Sequence, residues 1–381
     1  MIYFDNSATT KPYKEVLDSY VKAASDYYGN PSSLHSCGGQ AEKLLSQARE
    51  QIAKLLGVKA AEIYFTSGGT ESNNLAIKGA AFTYQNRGRH IIASSVEHPS
   101  VSDCLEQLES EGFEITYLPV NGDGQVSVEA VDKAIRKDTI LISVMHVNNE
   151  VGTIQPVKEI GKMLKNYPSV LFHVDAVQAV GKVPMDLAGN RIDLLSISGH
   201  KFHGLKGTGA LFIREGIRLT PLFAGGKQER NIRSGTENVA GAVAMAKALR
   251  LYMQKSETGL TVMKNMQKLL RTGLGHIEDI QINTPLENAA PHILNFSLKG
   301  MKSEVFIHAL EQKGIFVSTT SACSSKRKSA SKTLLAMGVP EDLAESGIRL
   351  SLSVENTEAE AKAVLDAIET TVEQLRKVMK P

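Results

Sequence analysis

The segment "EIYFTSGGTESNNLAIKGAAFTYQ" (62–85) sets the architecture. It opens with a short β-branched and aromatic run, breaks at Ser67-Gly68-Gly69-Thr70, and continues with helical periodicity. A strand feeding a helix through a glycine turn is half of a βαβ unit. The same alternation runs outward from it. "HIIASSVEH" (90–98), "EITYLPV" (114–120), "ILISVMHV" (140–147), "VLFHVDAV" (170–177), "LLSIS" (194–198) and "GALFI" (209–213) read as strands. Helical patterns fall at 41–57, 71–85, 127–137 and 157–167. This order predicts an α/β fold with a mostly parallel, doubly wound sheet. Ligands on such sheets bind beyond the carboxyl ends of the strands.

From about residue 236 the rhythm changes. "NVAGAVAMAKALRLYMQK" (238–255) reads as a connecting helix, followed by short strands, a helix at 303–313, "IRLSLS" (348–353) and a last helix from about 357. We therefore expect a large domain at 16–255 and a smaller α+β domain formed by 1–15 with 256–381.

The chain has 381 residues, 42% hydrophobic and 22% charged, with a net charge of +2. That is ordinary globular composition; the net charge argues neither for nor against nucleic acid and leaves room for a local basic patch, and no direct nucleic-acid partner is expected. Three cysteines, Cys37, Cys104 and Cys323, are widely spaced. They form neither a disulfide framework nor a zinc pattern, so a reducing compartment and no metal are expected. "MIYFDNSATT" lacks a basic, then apolar, leader, and no run of about 18 apolar residues occurs. A cytoplasmic protein without a membrane segment is the expectation.

Each strand end carries chemistry with two readings. Ser67, Gly68, Gly69 and Thr70 at a helix start make an anion cradle, or only a glycine turn with a cap. His98 and Asn149 close two strands, as site groups or as turn residues. Asp175, with Gln178 after it, ends an apolar run, where a carboxylate needs a partner. A pyridinium nitrogen or a structural ion pair would serve. Ser198, His200 and Lys201 enter a Gly-rich loop, where Lys201 could carry a Schiff base or lie at the surface. Together they match the needs of pyridoxal 5′-phosphate: phosphate anchor, ring-stacking group, ring-nitrogen partner, phenolate partner and lysine. No G-x-G-x-x-G follows the first strand, which disfavours a dinucleotide.

"STTSACSSKRKSASK" (318–332) places Cys323 in a polar, basic run, with no acid between Glu311 and Glu341. Nearby cations favour the thiolate, the reactive form. Cys104 reads as core and Cys37 as incidental.

The motifs "YFDNSATT", "GNPSSLH", "TSGGTESNN", "SVEHPSV", "VNNEVGTIQP", "HVDAVQAVGK", "SGHKFHG", "GGKQERNIRSGTEN", "SACSS" and "GIRLSLS" run nearly end to end. With them the chain resembles the cysteine desulfurases (NifS/IscS-like), of the aminotransferase class V group of fold-type I pyridoxal-phosphate-dependent transferases. The resemblance implies that Lys201 binds the cofactor covalently, Asp175 pairs with the ring nitrogen, Gln178 bonds the phenolate oxygen and His98 stacks on the ring and serves catalysis by moving protons. It implies that Gly69, Thr70, Ser198 and His200 hold the phosphate, with Thr236 supplied to the neighbouring subunit of a homodimer. Arg349 would bind the carboxylate of L-cysteine, with Asn149 beside it and Asn30 nearby. Cys323, on the small domain, would take the substrate sulfur as a persulfide, leaving L-alanine. The acceptor implied is an iron–sulfur scaffold or a tRNA sulfurtransferase. The cations Lys326–Lys328 favour an acidic or RNA-proximal one, or only keep the loop soluble. Selenocysteine lyase, class V aminotransferase and non-catalytic scaffold are the competing readings.

Overall fold

The computed structural model describes residues 1–319 and 330–379, so Cys323 and the cations at 326–328 lie outside the described residues. A two-residue strand, β1 (Ile2–Tyr3), opens the chain. Seven strands follow: β2 (Ile63–Thr66), β3 (His90–Ser94), β4 (Glu114–Leu118), β5 (Thr139–Ser143), β6 (Leu171–Asp175), β7 (Leu194–Ser198) and β8 (Gly209–Ile213). They form one sheet in the order β2-β8-β7-β6-β5-β3-β4. The five from β7 to β4 are parallel, and β8 runs antiparallel to both of its neighbours. The mostly parallel sheet read from the sequence is present, with β8 reversed. The link between β7 and β8 holds only the short turn Gly199–Lys201, and without a crossover helix the chain returns antiparallel.

Strands β3, β5, β6, β7 and β8 are buried at every residue, as a sheet covered on both faces requires. Successive residues point to opposite faces. Ile92, Ile142, Leu195 and Phe212 join one core with the helix Ser36–Leu56, while Ile91, Leu141, Leu194 and Leu211 join another with the helices Gly69–Tyr84 and Pro99–Ser110. The first of these helices begins five residues before the pattern that revealed it. His35 caps it through Nδ1, which accepts from the Gly38 amide at 3.2 Å. A Cβ on Gly38 would lie 2.3 Å from the Ser33 carbonyl, so the glycine serves close packing and does not break the helix.

A second unit contains β9 (Ile280–Ile282), β10 (Ile293–Leu298), β11 (Ile315–Phe316), β12 (Ser318–Thr319) and β13 (Gly347–Ser351). Four of these form an antiparallel sheet, β12-β13-β10-β9, while β11 pairs with β1. Phe4, Phe296, Phe306, Ile348 and Val364 share its core, which brings the chain's first residues to its last third. One continuous helix, Val239–Leu274, serves both units. Ala242, Met245 and Tyr252 pack in the large-sheet core, and Met263, Met266 and Leu270 in the second. The sequence pattern ended this helix at 255 because "KSETG" interrupts its apolar stripe, which resumes one turn later.

Candidate active site

The carboxyl ends of the parallel strands open on a cavity of about 280 Å³. Its lining includes Gly69, Thr70, His98, Asn149, Asp175, Gln178, Ser198, His200, Lys201 and Arg349. Residues from both units of the fold therefore meet in one cleft.

Lys201 ends the short turn after β7. Its Nζ donates to the carbonyl oxygens of Ser7 and Ala8, the latter at 2.9 Å. Asp175 ends β6 and is 5% exposed. Its Oδ2 accepts from Asn73 Nδ2 at 2.7 Å, and its Oδ1 accepts from the Val177 amide at 2.9 Å. Gln178 Nε2 donates to the Ser7 carbonyl at 2.9 Å. His98 caps the helix Pro99–Ser110, its Nδ1 accepting from the Ser100 amide at 3.1 Å. Burial lowers the His98 pKa; Asp175 opposes this and Lys201 adds to it. Burial, then Lys201, Lys206 and Lys182, lower His200 to about 4, so its imidazole is neutral at pH 7.

Arg349 sits mid-strand in β13 and is 3% exposed. Nη1 donates to the Asn149 carbonyl at 2.8 Å and Nη2 to Asp5 Oδ1 at 3.0 Å. Asn149 thus contributes its backbone oxygen to this contact.

The residues fit pyridoxal phosphate. The helix Gly69–Tyr84 starts at the cleft, and its first amides are a natural anion site. A Cβ on Gly69 would lie 2.8 Å from Val177 Cγ2, so only glycine keeps that approach open. Ser7 Oγ, Asn73 Oδ1 and Arg349 Nε are buried polar atoms without a hydrogen-bond partner among the described residues, and all three residues line the cleft. Buried polar groups are ordinarily satisfied, and a polar ligand is one way to satisfy these.

Two expected residues lie elsewhere in this chain. Thr236 lines a neighbouring pocket with Thr66, Ser67 and Thr208. Asn30 lies in a turn, its Oδ1 accepting from the Ser32 amide at 2.9 Å. Cys104 is buried, which pushes its thiol up to about 12, and Cys37 is exposed. The sequence reading missed Asp5, Ser7, Asn73 and Ser100. Its one signal for them was polar residues next to recognised motifs, in "YFDNSATT", "TESNN" and "EHPS". Among the described residues no helix is long and apolar enough to cross a membrane.

The aminotransferase class-V family model matches residues 2–364. The chain is 47% identical over 384 aligned positions to a NifS/IcsS protein homolog of Lactobacillus delbrueckii subsp. bulgaricus, covering 99% of both chains. It is 46% identical to cysteine desulfurase IscS of Dictyoglomus turgidum, covering 99% of this chain and 96% of that one. A solved NifS-like protein superposes with a TM-score of 0.92 at 40% identity, over 98% of this chain and 99% of that one. The family implies pyridoxal phosphate, which the cleft accommodates. The chain belongs to the class-V aminotransferase family, among its cysteine desulfurases.

Proposed function

We propose that this protein is a pyridoxal-phosphate-dependent cysteine desulfurase that carries the sulfur of L-cysteine on Cys323 to an acceptor. The observation that carries the reading is the meeting of Lys201, Asp175, Gln178, His98 and Arg349 in one cleft. Gly69, Thr70, Ser198 and His200 would hold the phosphate, Lys201 the aldehyde carbon, and Asp175 the ring nitrogen. When bound, the cofactor supplies an electron sink for negative charge at the substrate Cα.

The chain's own groups do the rest. Arg349 orients the substrate by its carboxylate through a charge-assisted pair. Lys201 Nζ takes the Cα proton and returns a proton to Cα before alanine leaves. Cys323 Sγ, as thiolate, attacks the substrate sulfur: the new S–S bond forms as the substrate's Cβ–S bond breaks, and Cβ gains a proton. The products are L-alanine and a persulfide on Cys323.

The finer reading is that the small domain, 1–15 with 256–381, carries Cys323 to a cleft built on the large domain, 16–255. The working unit is a cytoplasmic homodimer in which Thr236 serves the neighbouring subunit's phosphate. The acceptor is an iron–sulfur scaffold or a tRNA sulfurtransferase, chosen in part by the cations at 326–328.

Alanine release, persulfide formation and cofactor absorbance test this together. Cys323→Ala keeps the cofactor absorbance and loses the persulfide; Lys201→Ala loses alanine release and the Schiff-base band. Alanine release that survives Cys323→Ala unchanged overturns the role of the thiol. Sulfur transfer from the persulfidated protein to candidate acceptors, with and without charge reversal at 326–328, separates the two pathways.

A further inference from the structure

We propose that Asn73 is a positioning residue that ties Asp175 and His98 into one unit and, through Ser100, holds the His98 ring proton on Nε2. This rests on the reading above only in taking Asp175 and His98 as the groups that face the cofactor ring.

Asn73 lies one turn beyond Thr70 on the helix Gly69–Tyr84 and is 1% exposed. Its Nδ2 donates twice, to Asp175 Oδ2 at 2.7 Å and to Ser100 Oγ at 2.8 Å. An ionised carboxylate only accepts, so Asp175 fixes which end of the amide faces it. Ser100 Oγ, having accepted from Asn73, turns its own proton to His98 Nδ1 at 2.8 Å. The Ser100 backbone amide also reaches Nδ1, at 3.1 Å. Both groups facing Nδ1 are donors, so Nδ1 is the acceptor and the proton sits on Nε2.

One amide therefore links the carboxylate that would meet the ring nitrogen to the imidazole that would stack on the ring. The link has a cost that packing does not explain, since Asn73 Oδ1 is buried without a partner among the described residues. An apolar side chain of similar volume would fill the same space without that cost. The chain Asp175–Asn73–Ser100–His98 polarises along its length, so a change of charge at Asp175 reaches the imidazole without direct contact.

The test reads the ring-nitrogen resonances of labelled histidine in the cofactor-loaded protein. Wild type should show His98 as the Nε2–H tautomer. Asn73→Ala and Ser100→Ala should each shift the His98 Nδ1 resonance toward that of an unbonded ring nitrogen, and Ser100→Thr should restore it. Asn73→Ala should also shift the cofactor absorption maximum, because Asp175 loses a donor, whereas Ser100→Ala should leave it in place. An Nδ1–H tautomer in the wild type, or an Nδ1 resonance unmoved in the folded variants, overturns the proposal. If Asn73→Ala does not fold, Ser100→Ala decides alone. A wild-type protein that binds no cofactor would instead sink the desulfurase reading, and the tautomer can still be read in that protein.

Discussion

The guanidinium of Arg349 donates from Nη2 to Asp5 Oδ1 at 3.0 Å, so a substrate carboxylate held by Arg349 shares it with a resident carboxylate. Two like charges about 6 Å apart repel by roughly 3 kcal/mol at an effective dielectric of about 20. A third of that is roughly a fivefold change in affinity. Asp5→Asn keeps an acceptor for Arg349 and removes the charge. It should lower KM for cysteine and tighten inhibition by alanine about fivefold, with kcat little changed. Steady-state alanine formation with added alanine measures both. Weaker binding would mean that Asp5 acts only by holding Arg349 in place.

The loop that leads to Thr236 is held by a second buried pair. Arg49 Nη1 and Nη2 donate to Glu229 Oε2 and Oε1, each at 2.7 Å, and Oε2 also accepts from the Phe65 amide at 3.0 Å. Glu229, Arg230 and Asn231 are three consecutive left-handed residues, with φ of 43°, 56° and 66°. Such backbone persists only where its surroundings enforce it. Glu229→Gln leaves a buried guanidinium uncompensated and should cost about 3 kcal/mol in a urea melt. Adding Arg49→Met should recover part of that loss, because no buried cation remains. A double variant less stable than the single one would refute the account.

Strand-forming runs and the chemistry at their ends were readable in the sequence because each is local. Asp175, Ser198 and Lys201 follow β-branched runs directly, and the neighbours Ile91 and Ile92, packed in cores on opposite faces, agree with a strand buried on both sides. Non-local contacts were not readable from residue patterns. Asp5 reaches Arg349 only because β1 pairs with β11, and because Asp5 bridges to Ser351 at the end of β13. Asn73 looked like one polar residue among several in "TESNN" until the fold set it against Asp175. The extension of the helix Val239–Leu274 past 255 depends likewise on packing into the smaller unit's core, which the stripe interrupted at 255–259 does not reveal.

Stability should carry a pH signature from Glu97. Its Oε1 accepts from Ser94 Oγ and from the Met145 amide at 2.8 Å, while Oε2 is buried without a partner among the described residues. Burial, with Asp175 adding to it, pushes the carboxyl up to about 8. The folded state therefore binds a proton that the unfolded state has released. That contribution is fully present below the unfolded carboxyl's range near 4.5 and is lost as pH rises toward about 8. Glu97→Gln keeps the acceptor for Met145 and removes the titration. The wild type should lose on the order of a few kcal/mol relative to this variant between pH 5 and 8. Parallel urea midpoints across that window would show a slope in the difference; a flat difference refutes the assignment.

Gly69 and Val177 make the last prediction, because their approach shapes the start of the helix Gly69–Tyr84 at the cleft. A Cβ at 69 would stand 2.8 Å from Val177 Cγ2, too close for either group to stay in place. Val177 sits two residues after Asp175, and its amide donates to Asp175 Oδ1 at 2.9 Å. Pushing Val177 away therefore disturbs the helix N-terminus and Asp175 together. Gly69→Ala should weaken cofactor retention by about 1–2 kcal/mol, the usual range for overpacking, or roughly five- to thirtyfold in affinity. Val177→Ala removes the colliding methyl, and the double variant should regain most of that affinity. Absorbance titration with the cofactor reads both. If the double variant binds no better than Gly69→Ala alone, the clash with Val177 is not the cause.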